Sequence, residues 1–272
     1  MASPIAAETF SHGNAMARRM PERLSFDRVA TIYDETRGLP PRILSRVLGV
    51  LVDELRGKRV LEVGVGTGRF AVPLQKSGID LVGIDISHAM VDLGLAKGLR
   101  NVIFADAARL PFPARAFDVA TSNHVLHLIA DWRDVLREIA RVTAETYFSV
   151  IGRSSGPDLN REYHALVEDG GFHWQPPGLH ERKLPERLKP DLVMPVGPFP
   201  ERLPADRAIA EIEQRAFTTQ WEVPEELHRD AVRALRKRWG GKELTWTTTY
   251  EIASWDVSRL AGIPEAEDGQ RP

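Results

Sequence analysis

Three glycines spaced two apart, Gly64, Gly66 and Gly68, separate the apolar run Arg59-Val60-Leu61-Glu62-Val63 from a helical stretch, Phe70 to Lys76. No other feature of the 272-residue chain limits its fold so strongly. Without a Cβ, each of these positions lets the backbone turn sharply and approach a ligand closely. The helix start beyond the loop directs backbone amides toward a polar or anionic group. Asp85 closes the next apolar run, Leu81-Val82-Gly83-Ile84-Asp85, 21 residues after Gly64. A carboxylate there is placed to accept from both hydroxyls of a ribose. Arg69 follows the third glycine, so the loop reads G-x-G-x-G and departs from the G-x-G-x-x-G dinucleotide fingerprint. That spacing argues against a nicotinamide cofactor.

The runs around the loop set the fold class. Apolar strands are expected at 59–63, 81–85, 102–104, 117–121 and 146–151, with helices at 70–76, 87–96 and 132–142 between them. Strands alternating with helices predict a parallel sheet covered on both faces, doubly wound, with ligands outside the carboxyl ends of its strands. Before this core, Phe26, Val29, Ala30 and Tyr33 recur at helical spacing. Leu39-Pro40-Pro41 interrupts that helix, and a second is expected from Arg42 to Leu55. After residue 151 the rhythm fails: Pro176-Pro177 and Pro198-Phe199-Pro200 read as loop, with a helix over 159–167 and a short strand over 192–196. Helices return at 206–217 and 224–239, and a last strand fits 244–255. The expectation is one domain over 1–272. Within it, 1–56 forms a tail and helical cap, 57–152 a cofactor-binding core, and 153–204 a proline-rich, lid-like insertion; 205–262 holds helices and the last strand, and 263–272 is a flexible tail.

Composition narrows the partners. A net charge of -2 gives no global attraction to nucleic acid or to an anionic membrane. The basic run Arg229, Arg233, Arg236, Lys237, Arg238 is diluted by Glu222, Glu225, Glu226 and Asp230. There is no cysteine, so thiolate nucleophiles, cysteine metal sites and disulfides are excluded. No apolar run is long enough for a signal-peptide core or a membrane span. A cytoplasmic protein is expected, as a monomer or homodimer.

The run from Val60 to Phe70 resembles motif I of the class I S-adenosylmethionine-dependent methyltransferases. Gly83-Ile84-Asp85-Ile86-Ser87, with Met90 after it, is similar to their second motif. Phe104-Ala105-Asp106-Ala107-Ala108-Arg109-Leu110-Pro111-Phe112 is similar to the segment after their third strand. Phe117-Asp118-Val119-Ala120 and Val125-Leu126-His127 are similar to their fourth-strand motif. The four lie in order over about residues 58–150. Residues 26–34, Phe26 to Asp34, also resemble the cap of the small-molecule, type 11-like branch. The resemblance implies a mostly parallel, seven-stranded Rossmann-like sheet and S-adenosylmethionine as cofactor. It places Gly64, Gly66 and Gly68 against the cofactor's methionine and ribose, and Glu62 ordering the loop near its amino group. Asp85 would take the ribose hydroxyls, Ile86 would pack on adenine, and Asp106 with the Ala107 amide would read the adenine amino group. Asn123 would stand where cofactor and acceptor meet, with Tyr33 and Arg37 closing over that end. Two departures stand out. Val142-Thr143-Ala144-Glu145-Thr146 replaces the family's usual turn before the fifth strand, and 153–204 matches no family motif.

Transfer from a sulfonium needs alignment more than acid or base catalysis, so no catalytic residue is obligatory. His124 and His127 follow the fourth strand, and His124 is the candidate general base, with a structural histidine as the other reading. No metal site is expected. Asp131 is expected to cap the next helix and Trp132 to pack in the core. Tyr163, His164, Phe172, His173 and Trp174 read either as a lid on an apolar substrate or as packing beneath a loop. The leading expectation is methyl transfer to a small molecule without nucleic-acid binding. The rivals are an RNA or protein methyltransferase, and a cofactor-binding module without turnover.

Overall fold

The computed structural model describes residues 38–174 and 176–263. Tyr33, Arg37 and the rest of the expected cap before Gly38 lie outside these residues, as does the tail beyond Ile263.

Helix α1, Pro41–Leu55, starts with proline at a position whose missing N–H costs nothing. It buries Ile43, Val47, Leu51 and Leu55, one residue per turn. The alternation expected after it is present. It runs β1 (Arg59–Val63), α2 (Ala71–Lys76), β2 (Asp80–Asp85), α3 (His88–Ala96), β3 (Val102–Phe104), β4 (Phe117–Ser122), α4 (Trp132–Val142) and β5 (Thr143–Ser155). Then come α5 (Leu159–Asp169), α6 (Leu184–Arg187), β6 (Leu192–Pro204), α7 (Ala205–Glu213), α8 (Glu225–Trp239), β7 (Glu243–Asp256) and α9 (Val257–Leu260).

All seven strands join one sheet in the order β3-β2-β1-β4-β5-β7-β6. The first five are parallel, and β7 runs antiparallel to both β5 and β6. Side chains alternate between two cores. Leu61, Val63, Ala120, Tyr147 and Trp255 face α4 and α9, whereas Val60, Val119, Phe148 and Ile252 face α1 and α2. The order reverses between β1 and β4, which opens a crevice at their carboxyl ends.

Three expectations change. The fifth and sixth strands are much longer than their apolar centres, because each gains partners along β7 over most of its length. Pro198-Phe199-Pro200, expected as loop, belongs to β6; that strand pairs only with β7, so its prolines cost no ladder bond on the open side. Asp131 sits at the start of α4 without a side-chain capping bond, and its carbonyl serves Asp134 and Val135 instead. The absent turn before β5 is explained, since α4 ends at Val142 and the strand begins at Thr143. Trp132 is buried, as expected.

Of the five aromatic residues after β5, Tyr163, His164 and Phe172 pack against neighbouring elements, and His173 is exposed. Tyr163 is fully buried and its hydroxyl meets His228 Nδ1 at 2.7 Å. His164 Nε2 meets Thr219 Oγ1 at 2.8 Å, and Phe172 joins a third core formed by α5, α7 and α8.

Core and edge should respond differently to mutation. Leu61→Ala is expected to cost ~2–5 kcal/mol of stability, because the site is wholly closed. Leu192→Lys, on the edge strand and 49% exposed, is expected to stay within ~0.5 kcal/mol. Urea midpoints at constant slope measure both.

Candidate active site

The glycine loop leaves β1 and folds back on the neighbouring strand end. Gly64 and Val65 both donate to the Ile84 carbonyl, at 2.8 and 2.9 Å. Gly64, Gly66 and Gly68 take φ values of +72°, +52° and +73°, the left-handed region that other residues avoid. At Gly64 space is also lacking: a Cβ would lie 2.1 Å from Val125 Cγ2. The loop therefore touches the segment that follows β4.

Asp85 ties the loop to β2. Its Oδ2 accepts from the Gly66 amide at 2.7 Å and its Oδ1 from the Ser87 amide at 2.9 Å. Each carboxylate oxygen has two lone pairs, so both bonds are compatible with further acceptance. Ile86 beside it is 41% exposed, and Phe104 is exposed with His88 stacked on it at 4.0 Å. Asp106 Oδ1 accepts from the Ala108 amide at 2.9 Å, which fixes the turn containing the buried Ala107.

Glu62 is buried beneath the loop, and its Oε2 has no hydrogen-bond partner among the described residues. Burial pushes its pKa up to about 8. The charge of Arg69 and a hydrogen bond from Asn123 oppose the rise, and Asp85 adds to it. Asn123 is also held from the other side, its Oδ1 accepting from the Val150 amide at 2.9 Å.

Beyond Asn123 lies a cleft of ≈ 420 Å³ whose lining includes Arg69, His124, His127, Ile151, His180, Glu181, Tyr250 and Trp246. His124 has a φ of +61°. Burial, helped by the charge of Arg69, lowers its pKa to about 3, so the expected base is a neutral and weakly basic ring. The chain supplies two groups here that sequence reasoning did not pick out, His180 and Glu181. They come from the proline-rich stretch, where a lone histidine and glutamate carry no periodic signal. Gly178 donates to the His127 carbonyl at 3.1 Å. A Cβ on it would lie 2.0 Å from the Leu126 carbonyl oxygen, so only glycine lets this segment dock. Glu181 Oε1 then accepts from the amides of Val125 and Leu126, the latter at 2.9 Å. None of Tyr163, His164, Phe172, His173 and Trp174 lines the cleft.

Residues 61–146 match the family model described as a methyltransferase domain. This segment is a methyltransferase domain. The methyltransferase domain is similar to demethylmenaquinone methyltransferase of Renibacterium salmoninarum, 32% identical over 137 residues, 48% of this chain and 58% of that protein. It is also similar to the O-methyltransferase rstn1 of Aspergillus nomiae, 35% identical over 107 residues, 36% of this chain and 48% of that protein. The chain thus spans about half the length of these curated relatives. In fold it is similar to a protein of Anabaena variabilis assigned to an antibiotic biosynthesis pathway as a methyltransferase. The TM-score is 0.51 at 16% identity, over 76% of this chain and 96% of that one. The family's methyl donor is S-adenosylmethionine. The site fits it chemically: an unpartnered buried carboxylate oxygen on Glu62, a glycine cradle that a Cβ would fill, the Asp85 carboxylate, and the exposed apolar faces of Ile86 and Phe104.

Glu62 gives the methyltransferase domain a pH signature. Its ordinary pKa is 4.5 and its folded value about 8. Between these the folded state keeps a proton that the unfolded chain has released, so this group lowers stability as pH rises through the window. Glu62→Gln removes the titration. The variant is expected to gain on the parent steadily from pH 4.5 to 8, by a few kcal/mol at most at ~1.4 kcal/mol per unit. Urea unfolding at both ends of the window measures it; a constant difference would contradict the assignment.

Proposed function

We propose that the protein transfers a methyl group from S-adenosylmethionine to a small-molecule acceptor held in the ≈ 420 Å³ cleft. The observation that carries the reading is Asp85, fixed at the end of β2 by the Gly66 amide, within a segment that matches the methyltransferase family. In this reading the loop glycines, Glu62, Asp85, Ile86, Asp106, Ala107 and Asn123 hold the cofactor, with Tyr33 and Arg37 contributing from before the described residues. When bound, the cofactor supplies a methyl group on a sulfonium, already an electrophile.

The chain's own residues do the rest. Asp85 and the cradle fix the donor's ribose, and the ends of β1 and β4 set the direction of approach. The cleft, of the size used for small ligands, holds the acceptor and excludes water. His124 lines it as a neutral ring. Support for an RNA substrate is weakened by α8, where Arg229, Arg233, Arg236 and Arg238 each lie within 4 Å of a carboxylate. Because β6 and β7 complete the same sheet as β1 to β5, we take 1–272 as a single domain. Among the described residues no helix is long and apolar enough to cross a membrane. With a chain that lacks cysteine, the reading places the protein in the cytoplasm, as a monomer or homodimer.

Calorimetry with S-adenosylmethionine, S-adenosylhomocysteine and NAD tests this. The first two are expected to bind and NAD is not. Asp85→Ala is expected to weaken both by about a hundredfold, two charge-assisted hydrogen bonds at ~1.5 kcal/mol or more each. Absence of binding, or an unchanged affinity in the variant, overturns the proposal.

A further inference from the structure

At the acceptor end of the cleft, one buried carboxylate meets two imidazoles. His127 Nδ1 stands 3.4 Å from Glu181 Oε2, and His180 Nδ1 stands 4.0 Å from the same oxygen. The two rings are stacked, with centroids 5.1 Å apart and 16° between their planes. Both Nδ1 atoms and Glu181 Oε2 are buried and have no hydrogen-bond partner among the described residues, so they face one another without a formed bond. Glu181 is 3% exposed, and its Oε1 is already occupied by the amides of Val125 and Leu126. Oε2 is therefore the carboxylate oxygen that faces the histidines.

We propose that Glu181 and His127 form a carboxylate–imidazole pair that removes the proton from a hydroxyl acceptor, making the substrate an acidic O–H compound such as a phenol or enol. The inference rests on the methyl-transfer reading above. A carboxylate facing Nδ1 selects the tautomer with hydrogen on that nitrogen and leaves the lone pair on Nε2, across the ring. As the acceptor oxygen bonds to the methyl carbon, the carbon–sulfur electron pair returns to sulfur and the O–H proton passes to His127 Nε2. The imidazolium so formed lies against the Glu181 carboxylate, and later loses its proton to water.

The surroundings select the acceptor. Burial acts to raise the Glu181 pKa, but the close approach of the His127 ring and the Val125 amide outweigh it, so this carboxylate is ionised. Burial is the main force against a charged His124 or His180 ring; the Glu181 carboxylate favours the charge, while Arg69 opposes it at His124 and Arg182 and Lys183 oppose it at His180. Burial likewise penalises a cationic ammonium acceptor, whereas a hydroxyl enters neutral and gives up its proton as the Glu181 carboxylate holds the imidazolium that results. Glu181 touches the acceptor only through His127 and is a positioning residue; His127 is the base.

The test uses the full chain saturated with S-adenosylhomocysteine, with para-nitrophenol as the probe because its phenolate is coloured. Bound nitrophenol is expected to ionise about one pH unit or more below the free compound, with the shift lost in His127→Gln and reduced in Glu181→Gln. Heteronuclear NMR of the histidine rings gives a readout independent of any acceptor: His127 is expected as the Nδ1–H tautomer, reverting toward a mixture in Glu181→Gln. That variant keeps an oxygen for the Val125 and Leu126 amides, so the fold is retained. Failure of nitrophenol to bind, a shift that persists in His127→Gln, or a neutral Nε2–H form of His127 overturns the inference. Failure of S-adenosylhomocysteine to bind the unaltered protein overturns instead the reading on which it rests.

Discussion

The contact of Gly64 with Val125 joins the two halves of the site. The loop after β1 and the segment after β4 meet there without room for a single methyl group. From Val125 the chain of contacts continues at once, since its amide and that of Leu126 are gripped by Glu181. Donor and acceptor sides thus share one backbone segment. A displacement at the glycine loop is transmitted within two residues to the carboxylate that faces His127. Interiors packed this tightly do not absorb such shifts locally.

Two buried glutamates illustrate how surroundings set ionisation. Glu62 and Glu181 are each 3% exposed, and burial pushes both toward the neutral form. Glu62 has one free oxygen and an anionic neighbour in Asp85, and it rises to about 8. Glu181 has two backbone amides on one oxygen and two imidazoles on the other side, and it falls to about 2. Around one site the protein therefore holds one carboxyl that is largely protonated at neutral pH, beneath the glycine loop, and one that is charged, in the cleft. The first can give or accept a hydrogen bond at an amino group; the second stabilises a cation nearby.

The donor half was legible in the sequence because its chemistry is made by backbone. Positive φ at Gly64, Gly66 and Gly68 requires glycine, and Asp85 must end a strand to reach the Gly66 amide. Both demands leave spacing that can be read directly. The acceptor half leaves none. His180 and Glu181 reach the cleft only because Gly178 docks on the Leu126 and Ile129 carbonyls, a contact between residues some fifty positions apart. The prolines of β6 misled for a related reason: whether proline is tolerated depends on which strand lies at the edge, and that is a property of the sheet.

Besides the packing of Leu179, Leu184 and Leu188 on the core, the segment carrying His180 and Glu181 has three hydrogen-bonded anchors among the described residues. Gly178 bonds to His127, Glu181 grips Val125 and Leu126, and the Leu188 carbonyl accepts from Trp255 Nε1 at 2.8 Å. Two of these anchors fall on the segment after β4, and the third on the far strand β7. None falls on the glycine loop or on Asp85. Exposed residues between the anchors, such as Arg182 and Lys183, can therefore change without loosening the donor cradle, whereas changes at the fully buried Leu184, at Gly178 or at Glu181 reach the core that carries it. On the proposed reading, acceptor specificity varies within this frame, while the line from Gly64 through Val125 to Glu181 keeps its shape so that donor and acceptor meet.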